Sequence, residues 1–507
     1  MLNRSGSSSL LGRTKLRPLP QGAFLLRRIM PSVHFVYPPS PLFQRGEDRC
    51  QSNISASTAT TVRACNDLGE GAAVLRNLGY AVSVKDYQTE GLTTADLLND
   101  LDGIDVLFVS TTNATIFDDL KIVRTVKEKF PKLVVILKGA IFFNPEDGLI
   151  AQLDLTDVDY LVGGESDFII GELMTAHYHG GAYPDGILYK KDGRWLKTDF
   201  SKWHEDLDAL PFPARDLMNN ALYIRPDTQE PQATIATSRG CPSKCLFCLT
   251  PHISGRKLRL RSPESIYAEM KECFDKYNIR NFFFKSDTFT YDKAWTIKLC
   301  DLILQSDLKG KIAWVANSRV NPIDLETLQK MKQAGCWLVA FGFESGSPDT
   351  LQKARKGTTV EQNLAAAKMA KKAGLKIYGF YLIGFPWETW EHLRQTAALM
   401  KKINADFVEL HLATPFYGTE LYDLAKQDGL IDETVLGKDY FNAPTIGTNF
   451  LSIKDLQDFR KRTLLKYHLR PSYVLKKLFQ AAFHPRVLKN YGRFGFKLLA
   501  DCLKRGS

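Results

Sequence analysis

The first part of the chain alternates short apolar runs with amphipathic stretches of helical spacing. The apolar runs lie at 32–39, 81–87, 104–111, 132–140 and 158–164. Helical patterns fill two of the intervals, at 61–78 and 115–129. Strands that alternate with helices favour a parallel sheet covered on both faces. We therefore predict an α/β, doubly wound (Rossmann-like) domain over residues 31–180, with any ligand at the carboxyl ends of its strands.

A second alternation follows a segment that is rich in proline and turn residues. This segment, 181–230, contains a hairpin-like stretch at 187–200 and the sequence LPFPARD, and it is predicted to be a linker. Beyond it, strand patterns occur at 281–287, 311–318, 337–345, 376–384 and 406–415. The clearest helices between them are 323–335 and 360–374. Residues 231–450 are therefore predicted to form a partial (β/α)6 TIM-type barrel with its chemistry on the loops after the strands.

Charge is distributed unevenly along the chain. Residues 1–46 carry seven basic residues and no acidic one, and residues 454–507 carry fourteen basic and three acidic residues. The intervening residues, 47–453, have a net charge of −7, although the whole chain carries +11. A nucleic-acid-binding protein is expected to be basic on its folded body, so this pattern argues against a nucleic-acid partner.

The two basic ends of the chain are predicted to differ in structure. Residues 1–30 are predicted to be a disordered extension, with a transit peptide or a later start at Met30 as the alternatives. Residues 451–507 are predicted to form a helical C-terminal region that packs on the barrel or contacts an anionic membrane peripherally. No apolar run approaches the length of a membrane span. Six of the nine cysteines are scattered, which is not a disulfide framework and favours a cytoplasmic location.

Three cysteines lie within eight residues, in the sequence SRGCPSKCLFC. Thiolates bind soft metals, so Cys241, Cys245 and Cys248 indicate either zinc or an iron–sulfur cluster. Three thiolates on a cubane of four irons leave one iron open, as catalytic zinc sites also keep one position open. The alternative is a structural zinc site completed by His252, four residues after Cys248.

The spacing Cys-x3-Cys-x2-Cys, with the aromatic Phe247 before the last cysteine, resembles the motif of the radical SAM superfamily. The resemblance implies a [4Fe–4S] cluster on the three cysteines, which are then both catalytic and metal-binding residues. It also implies that S-adenosylmethionine is chelated to the open iron and cleaved to a 5′-deoxyadenosyl radical, which removes a hydrogen atom from the substrate.

Further segments resemble motifs of the same superfamily. FKSDTFT (284–290) falls where many relatives have two acidic residues, but Ser286 stands in the first position here. FGFESG (341–346) resembles a Gly-x-Glu-Ser-Gly turn, and LIGFPWET (382–389) resembles a later strand-end loop. Alternatively, Glu344 caps a helix and Arg319 is a solvated loop residue. The resemblance implies these cofactor-binding residues: Phe247, Asp287, Arg319, Glu344, Ser345 and Gly384.

The order of the domains resembles the cobalamin-binding subfamily of radical SAM enzymes, over roughly residues 32–465. The resemblance implies that the first domain binds cobalamin. Its first strand-end loop, SPLFQRGEDR, lacks the Asp-x-His-x-x-Gly motif of domains that place a histidine on cobalt. We therefore expect cobalamin without a protein histidine ligand, and a structural role for His34. The alternative is a domain that keeps the fold but binds nothing, or binds only substrate.

The subfamily implies a C-methyltransferase that acts on an unactivated carbon of a small-molecule or lipid-like substrate, with flavodoxin or ferredoxin as the electron donor. The alternative outcome is ring formation, as in the anaerobic magnesium-protoporphyrin monomethyl ester cyclases. An RNA methylthiotransferase would need three further cluster cysteines in the first domain, where this chain has only Cys50 and Cys65. A non-enzymatic electron-transfer protein would not need the segments around Asp287 and Glu344.

Overall fold

The computed structural model describes residues 30–41, 43–45, 51–53, 62–143, 147–431, 436 and 445–481, with the single positions 489 and 492. The extension 1–29 and most of the basic tail after 481 lie outside the described residues. The same holds for parts of the strand-end loops SPLFQRGEDR and KGAIFFNPED.

The strands of the first domain, among the described residues, are β1 (Ser32–Tyr37), β2 (Phe43–Arg45), β3 (Gln51–Asn53), β4 (Ala81–Asp86), β5 (Val106–Ser110), β6 (Val134–Lys138), β7 (Tyr160–Val162), β8 (Ile187–Lys191) and β9 (Arg194–Lys197). Seven of them form one sheet in the order β4-β1-β5-β6-β7-β8-β9. The first five strands of that order are parallel. The chain places β4 on one side of β1 and β5 on the other, so the strand order reverses between β1 and β5 and the topological switch point lies there.

The helices of this domain are α1 (Asn66–Asn77), α2 (Tyr87–Glu90), α3 (Thr94–Asp100), α4 (Ile116–Lys129), α5 (Asp147–Ile150) and α6 (Ser166–His179). Neighbouring residues of β1 face opposite layers. The Phe35 ring packs against Gly71 of α1, whereas Val36 belongs to a buried cluster with Leu97 of α3 and Val123 of α4. Helices therefore cover both faces of the sheet, as the alternating pattern predicted.

The hairpin β8–β9 corrects one predicted boundary. The sequence analysis placed it in the linker 181–230, but β8 pairs antiparallel with β7 and extends the first sheet. Leu188 of β8 pairs with Leu161 of β7, and both are buried in the core of the first domain. Because this apolar edge needs a partner strand, the hairpin belongs to the first domain and the linker begins after it.

The rest of the linker is packed between the two domains. The Ala214 amide donates to the Gly69 carbonyl at 2.9 Å. A Cβ on Gly69 would lie 2.8 Å from the sulfur of Met218, so the missing side chain lets the linker approach α1 closely. The fully buried Arg215 donates to Glu269 Oε1 at 2.7 Å and to the Thr234 carbonyl at 2.8 Å. These contacts fix the linker to both domains.

The second domain has the strands β10 (Gln232–Ala236), β11 (Ser238–Arg239), β12 (Arg259–Leu260), β13 (Asn281–Lys285), β14 (Ala313–Ser318), β15 (Cys336–Glu344), β16 (Lys376–Ile383) and β17 (Phe407–Leu412). Six of them are parallel and follow chain order, β10-β13-β14-β15-β16-β17. The predicted partial (β/α)6 barrel is confirmed. The short pair β11–β12 is antiparallel and flanks the cysteine-rich loop.

The helices of this domain are α7 (Thr250–Ile253), α8 (Pro263–Tyr277), α9 (Lys293–Leu304), α10 (Leu325–Gln333), α11 (Pro348–Lys353), α12 (Val360–Lys372), α13 (Trp390–Ile403) and α14 (Glu420–Gln427). They bury one face of the sheet. On β16 and β17 every second residue is fully buried on this outer face, and the residues between are half-buried. The half-buried residues Tyr378 and Phe380 pack on the other face against a small apolar cluster that contains Phe283 and Leu338.

Two helices follow the barrel, α15 (Ile453–His468) and α16 (Pro471–Ala481). The predicted helical character of the C-terminal region is confirmed for these described residues. Tyr473 of α16 is buried and donates to the Asp406 carbonyl at 2.9 Å, at the start of β17. Within the part of the chain that the structure describes, no helix is both long and apolar enough to cross a membrane.

Candidate active site

The three clustered cysteines lie on a loop, 240–249, that we call the thiol loop. Gly240 opens it at φ +86°, and a Cβ there would lie 2.1 Å from the Lys257 carbonyl, so only glycine fits. The Cys241 amide donates to Gly255 O at 3.1 Å. The Leu246 amide donates to Ala354 O at 3.2 Å. The backbone therefore holds the loop at the carboxyl end of β10, where the sequence placed it.

None of the three thiols of this loop forms a disulfide; Cys241 is buried, and Cys245 and Cys248 are half-buried. Cys248 Sγ lies 3.0 Å from the Thr250 hydroxyl. The guanidinium of Arg319 donates toward Cys245 Sγ at 3.8 Å. By contrast, burial raises the pKa of Cys273 to about 11 and that of Cys300 to about 12, so these thiols are poor metal ligands.

The arrangement of the thiols differs in its fit to the two metal alternatives, zinc and an iron–sulfur cluster. Among the described residues no group of three or more Cys, His, Asp or Glu side chains converges to hold a metal ion. The ring of His252, the fourth ligand of the zinc alternative, instead lies edge-on to Phe143, with 6.0 Å between centroids. A cubane binds each thiolate on a different iron, so its ligands stand apart from one another. Partly accessible thiols that stand apart fit a cluster better than a single ion.

Glu344 lies at the end of β15 in a conformation that requires support. Its φ is +60°, which is strained for a non-glycine residue, and the pairing with β16 is irregular at this point. Oε1 of Glu344 accepts from Lys356 Nζ at 2.6 Å. A Cβ on Gly342 would lie 2.4 Å from that oxygen, so the glycine makes room for the carboxylate. The cap of the following helix, α11, is Ser347, so Glu344 does not have the helix-cap role that was the alternative.

Arg319 connects this ion pair to the thiol loop. One of its nitrogens donates to the Lys356 carbonyl, and the other points at Cys245 Sγ. The structure therefore brings together the predicted residues Arg319 and Glu344 beside a cysteine. Lys356 belongs to the same group of residues. It could not be identified from the sequence, because the segment KGTT resembles none of the superfamily motifs described above.

The other predicted cofactor-binding residues differ in their surroundings. Phe247 packs on Phe385 with 5.7 Å between ring centroids. Asp287 is half-buried in the loop after β13. The preceding Ser286, which stands where relatives have an acid, is 3.0 Å from the Ser238 hydroxyl and joins β13 to β11. The hydroxyl of Ser345 is fully buried and bonded to Thr396 of α13 at 3.0 Å, so its side chain serves packing.

Gly384 supports a loop rather than contributing a side chain. It has φ +95°, and its amide donates to Glu388 Oε2 at 2.6 Å. The other oxygen of Glu388 accepts from Thr350 at 3.0 Å. Burial raises the pKa of Glu388 to about 7. The carboxyl group thus organises the strand-end loop after β16 beside Phe385.

A second polar cluster lies at the switch point of the first sheet. Asp67, in the first turn of α1, accepts from Ser110 at 2.8 Å and from Lys138 at 2.9 Å, at the ends of β5 and β6. Tyr37, at the end of β1, also donates to it, at 3.2 Å. In open α/β sheets this crevice is the ligand site.

The ring of His34 is held away from this crevice by Ser83 and Tyr87, at 2.6 and 3.0 Å, and burial lowers the pKa of His34 to about 4. His34 therefore has the structural role that was expected.

Buried ion pairs join the two domains at the base of the thiol loop. Arg239 of β11 donates to both oxygens of Asp167, at the start of α6, and to Glu70 of α1 at 3.3 Å. Arg259 of β12 donates to both oxygens of Glu165, at 2.9 and 2.6 Å. Glu165 and Asp167 follow β7, so the ligand-binding edge of the first sheet faces the thiol loop.

Comparisons with known proteins bear on this arrangement. Residues 235–400 match the model of the radical SAM superfamily. An uncharacterized methyltransferase of Pyrococcus horikoshii is 29% identical over 406 residues, which cover 79% of this chain and 87% of the relative. An anaerobic magnesium-protoporphyrin IX monomethyl ester cyclase of Rubrivivax gelatinosus is 26% identical over a region that covers 63% of this chain and 58% of the cyclase.

A solved structure covers almost the whole chain. It is the cobalamin-dependent S-adenosylmethionine radical enzyme OxsB with aqua-cobalamin and S-adenosylmethionine bound. The TM-score is 0.69, at 15% identity, over 93% of this chain and 72% of that one. The predicted radical SAM domain is confirmed over residues 235–400. The two-domain fold of this chain is similar to that of OxsB.

Proposed function

We propose that this protein is a cobalamin-dependent radical SAM methyltransferase that methylates an unactivated carbon. The observation that carries the proposal is the ion-pair contact of Arg239 and Arg259 with the loop after β7. Because of this contact, the carboxyl edges of both sheets meet, and each edge is the ligand-binding edge of its fold. A methyl carrier on the first sheet would thereby lie next to a radical generated on the second.

The residues of the second domain have distinct roles in this proposal. The three cysteines of the thiol loop would hold an iron–sulfur cluster, which would supply an electron to S-adenosylmethionine. Glu344 and Lys356 present one anionic and one cationic group where the amine and carboxylate of the methionyl moiety must be bound. Arg319 positions Lys356 through its carbonyl and donates toward Cys245 of the thiol loop. Asp287, on the next strand-end loop, is a further candidate ligand for the amine.

The first domain fits cobalamin at its switch point. Asp67, Lys138 and the loop 111–115 offer polar groups there, and buried Asp119 fixes that loop by accepting from Thr115 at 2.7 Å. A Cβ on Gly163 would lie 2.3 Å from the Phe142 carbonyl, so the loops after β6 and β7 pack backbone against backbone. The sequence holds no histidine from 35 to 176. The cofactor, which supplies the methyl group, would therefore be bound without a protein imidazole on its metal.

The first test combines retention of the cofactors with turnover. Protein purified without oxygen should hold about four irons and four sulfides. After reconstitution it should retain cobalamin through gel filtration, and after reduction it should release 5′-deoxyadenosine from S-adenosylmethionine. Absence of 5′-deoxyadenosine would contradict the radical chemistry, and loss of cobalamin would contradict the methyltransferase assignment.

Ring formation is the second candidate, because the cyclase of Rubrivivax gelatinosus is among the relatives. The two outcomes differ in the fate of the methyl group. Extract of a strain that lacks this gene should contain the unused substrate, and purified enzyme with S-adenosylmethionine labelled in its methyl group should convert it. Label in the new product supports methylation, whereas an unlabelled product that has lost two hydrogen atoms supports cyclisation.

A cytoplasmic enzyme that touches a membrane peripherally is proposed from α16. Its exposed apolar residues occupy one face, at Val474, Leu475, Leu478 and Phe479. The opposite face packs on the barrel, where Lys476 pairs with Asp406 at 2.7 Å. An apolar face within a segment of net charge +11 is typical of helices that bind anionic membranes.

Vesicles of anionic phospholipid should pellet the wild-type protein at low salt. Leu475→Glu should lower the pelleted fraction severalfold, whereas Leu196→Glu, at an exposed leucine of β9, should not. Equal pelleting of both variants would exclude α16 as the contact. A lipid-like substrate would agree with this location, and a reduced flavodoxin or ferredoxin is the proposed electron donor.

A further inference from the structure

A small cavity lies between the two domains, at the base of the thiol loop. Its volume is about 20 Å³, which is enough for a water molecule. Apolar residues of the linker and of β10 form part of its lining: Leu207, Leu210, Pro211, Pro213 and Ala236. The polar part of the lining consists of Glu70 of α1, Ser238 and Arg239 of β11, and Arg261 after β12. One carboxyl group and two guanidinium groups therefore share this space.

Glu70 and Asp167 hold one proton between them in this network. Burial, with the nearby charge of Asp167, raises the pKa of Glu70 to about 8. For Asp167 burial opposes ionisation, but Arg239 and a hydrogen bond from Glu70 bring the pKa below its ordinary value. Besides Asp167 and Arg239, the charged groups that face Glu70 are Lys285 and Glu269. At neutral pH Glu70 is therefore uncharged.

The charges of the buried ion pairs do not balance while Glu70 holds its proton. Four arginines, which stay protonated at any ordinary pH, belong to these pairs: Arg215, Arg239, Arg259 and Arg261. They pair with three ionised carboxylates: Glu165, Asp167 and Glu269. One positive charge within this group of residues is thus left without a counter-charge, which is costly in a buried place.

Hydrogen-bond donors are also in surplus here. Nε and Nη1 of Arg215 and Nε of Arg259 are buried and have no partner among the described residues. Arg239 and Arg261, which line the cavity, use only their Nη1 and Nη2 groups in the hydrogen bonds that the structure shows. An anion accepts several hydrogen bonds and donates none, so it suits surroundings with surplus charged donors.

We propose that this cavity binds one small monovalent anion of the size of chloride, together with the proton on Glu70. The anion accepts hydrogen bonds from Arg239 and Arg261 and supplies the missing negative charge. Ionisation of Glu70 brings a fourth carboxylate into the network, so the anion is then no longer required. Proton and anion are therefore bound together, and both are released as pH rises. While bound, they stabilise the contact of α1 with β11 and the linker.

Equilibrium dialysis of the cluster-loaded, full-length protein against radioactive chloride tests the site directly. At pH 7 we expect one chloride ion per chain, displaced by bromide but not by gluconate, which is too large for the cavity. At pH 9 only about one molecule in ten keeps the proton on Glu70, so the affinity should be roughly tenfold lower. At pH 8, chloride should cause uptake of up to about half a proton per chain from an unbuffered solution.

Two variants assign the chloride to this cavity. Arg261→Met should abolish binding, because it removes one of the two cations that line the cavity. If this variant does not fold, Leu210→Phe replaces it and should lower the affinity severalfold, because the larger ring leaves less room. Glu70→Gln, which cannot ionise, should bind chloride equally at pH 7 and pH 9 without proton uptake. The control is Lys298→Met, at an exposed lysine of α9 that pairs with Glu264 at 2.6 Å, and it should bind as wild type does.

A wild-type protein that binds no chloride at pH 7 overturns the proposal, and the cavity then holds only water. Equal chloride affinities of the wild type at pH 7 and pH 9 also overturn it. So does undiminished binding by Arg261→Met or by its replacement. The dialysis needs neither S-adenosylmethionine nor cobalamin, so its outcome does not depend on the proposed function.

Discussion

Replacing Arg239 by methionine tests whether the buried ion pairs hold the two domains together. The guanidinium lies 3.0 Å from Asp167 Oδ1 and 3.7 Å from Glu165 Oε1, and its side chain is only 16% exposed. Methionine keeps much of the volume but leaves these carboxylates without their shared cation. Removing one partner of a buried pair typically costs about 3–5 kcal/mol. Because Arg259 still pairs with Glu165 and the folded protein already keeps a proton on Glu70, we expect the free energy of unfolding to fall by about 3 kcal/mol, the lower end of that range.

Two measurements follow this change in the cluster-loaded full-length protein. Urea unfolding, monitored by fluorescence and by cluster absorbance, should give a lower midpoint for Arg239→Met. A loss of about 3 kcal/mol would also raise the open population of the domain interface roughly a hundredfold. Limited proteolysis within the linker 198–231 should accelerate accordingly when opening is fast relative to cleavage.

The matched control is Lys257→Met, which removes an exposed pair close to the same loop. Lys257 lies 2.6 Å from Glu205, with side chains 71% and 64% exposed. Such pairs contribute about 0–1 kcal/mol. An Arg239→Met protein whose urea midpoint and cleavage rate equal those of this control would refute the role assigned to the ion pairs.

Four further outcomes are expected. Alanine at any one of the three cysteines of the thiol loop should abolish the iron–sulfur absorbance, whereas Cys300→Ser should retain it. Zinc bound in place of iron would contradict the assignment of an iron–sulfur cluster. Glu70→Gln should flatten the pH dependence of urea unfolding: burial, with the nearby Asp167, raises the pKa of Glu70 to about 8. The folded state therefore keeps a proton that the unfolded chain releases, and wild-type stability falls as pH rises from about 4.5 to 8; an equal slope in the variant would show that Glu70 is not the group. Lys356→Met should weaken S-adenosylmethionine binding roughly tenfold in equilibrium dialysis, and unchanged binding would remove the Glu344–Lys356 pair from the cofactor site. Cob(II)alamin bound to the protein should give an electron paramagnetic resonance signal without nitrogen superhyperfine splitting, and clear splitting would show an axial nitrogen ligand.

The strands and the thiol loop could be predicted from local sequence. Buried parallel strands are nearly continuous apolar runs, so their positions are visible without knowledge of their neighbours. The predicted run 104–111 corresponds to β5, and the predicted run 376–384 corresponds to β16. The three cysteines were equally visible, because metal ligands that are close in sequence leave a fixed spacing.

Contacts between distant residues were decided by the tertiary structure. The hairpin β8–β9 looked like part of a linker because its polar, exposed residues do not reveal that Leu188 completes a buried edge. Lys356 became part of the site only through its contact with Glu344, since a lysine in a turn carries no signal of its own. Ser345 was expected to face the cofactor, but the packing of α13 directs its hydroxyl to Thr396.

The contact between the domains also separates what local sequence determines from what the tertiary structure decides. Sequence alone determined two α/β domains, the order in which they occur and the thiol loop. It could not reveal that Arg239, Asp167 and Glu70 meet, because each of these charged residues is ordinarily exposed and gives no sign of burial. Only the folded chain brings them together, because an ion pair depends on distances in space, whereas a strand or a ligand motif depends on spacing along the chain.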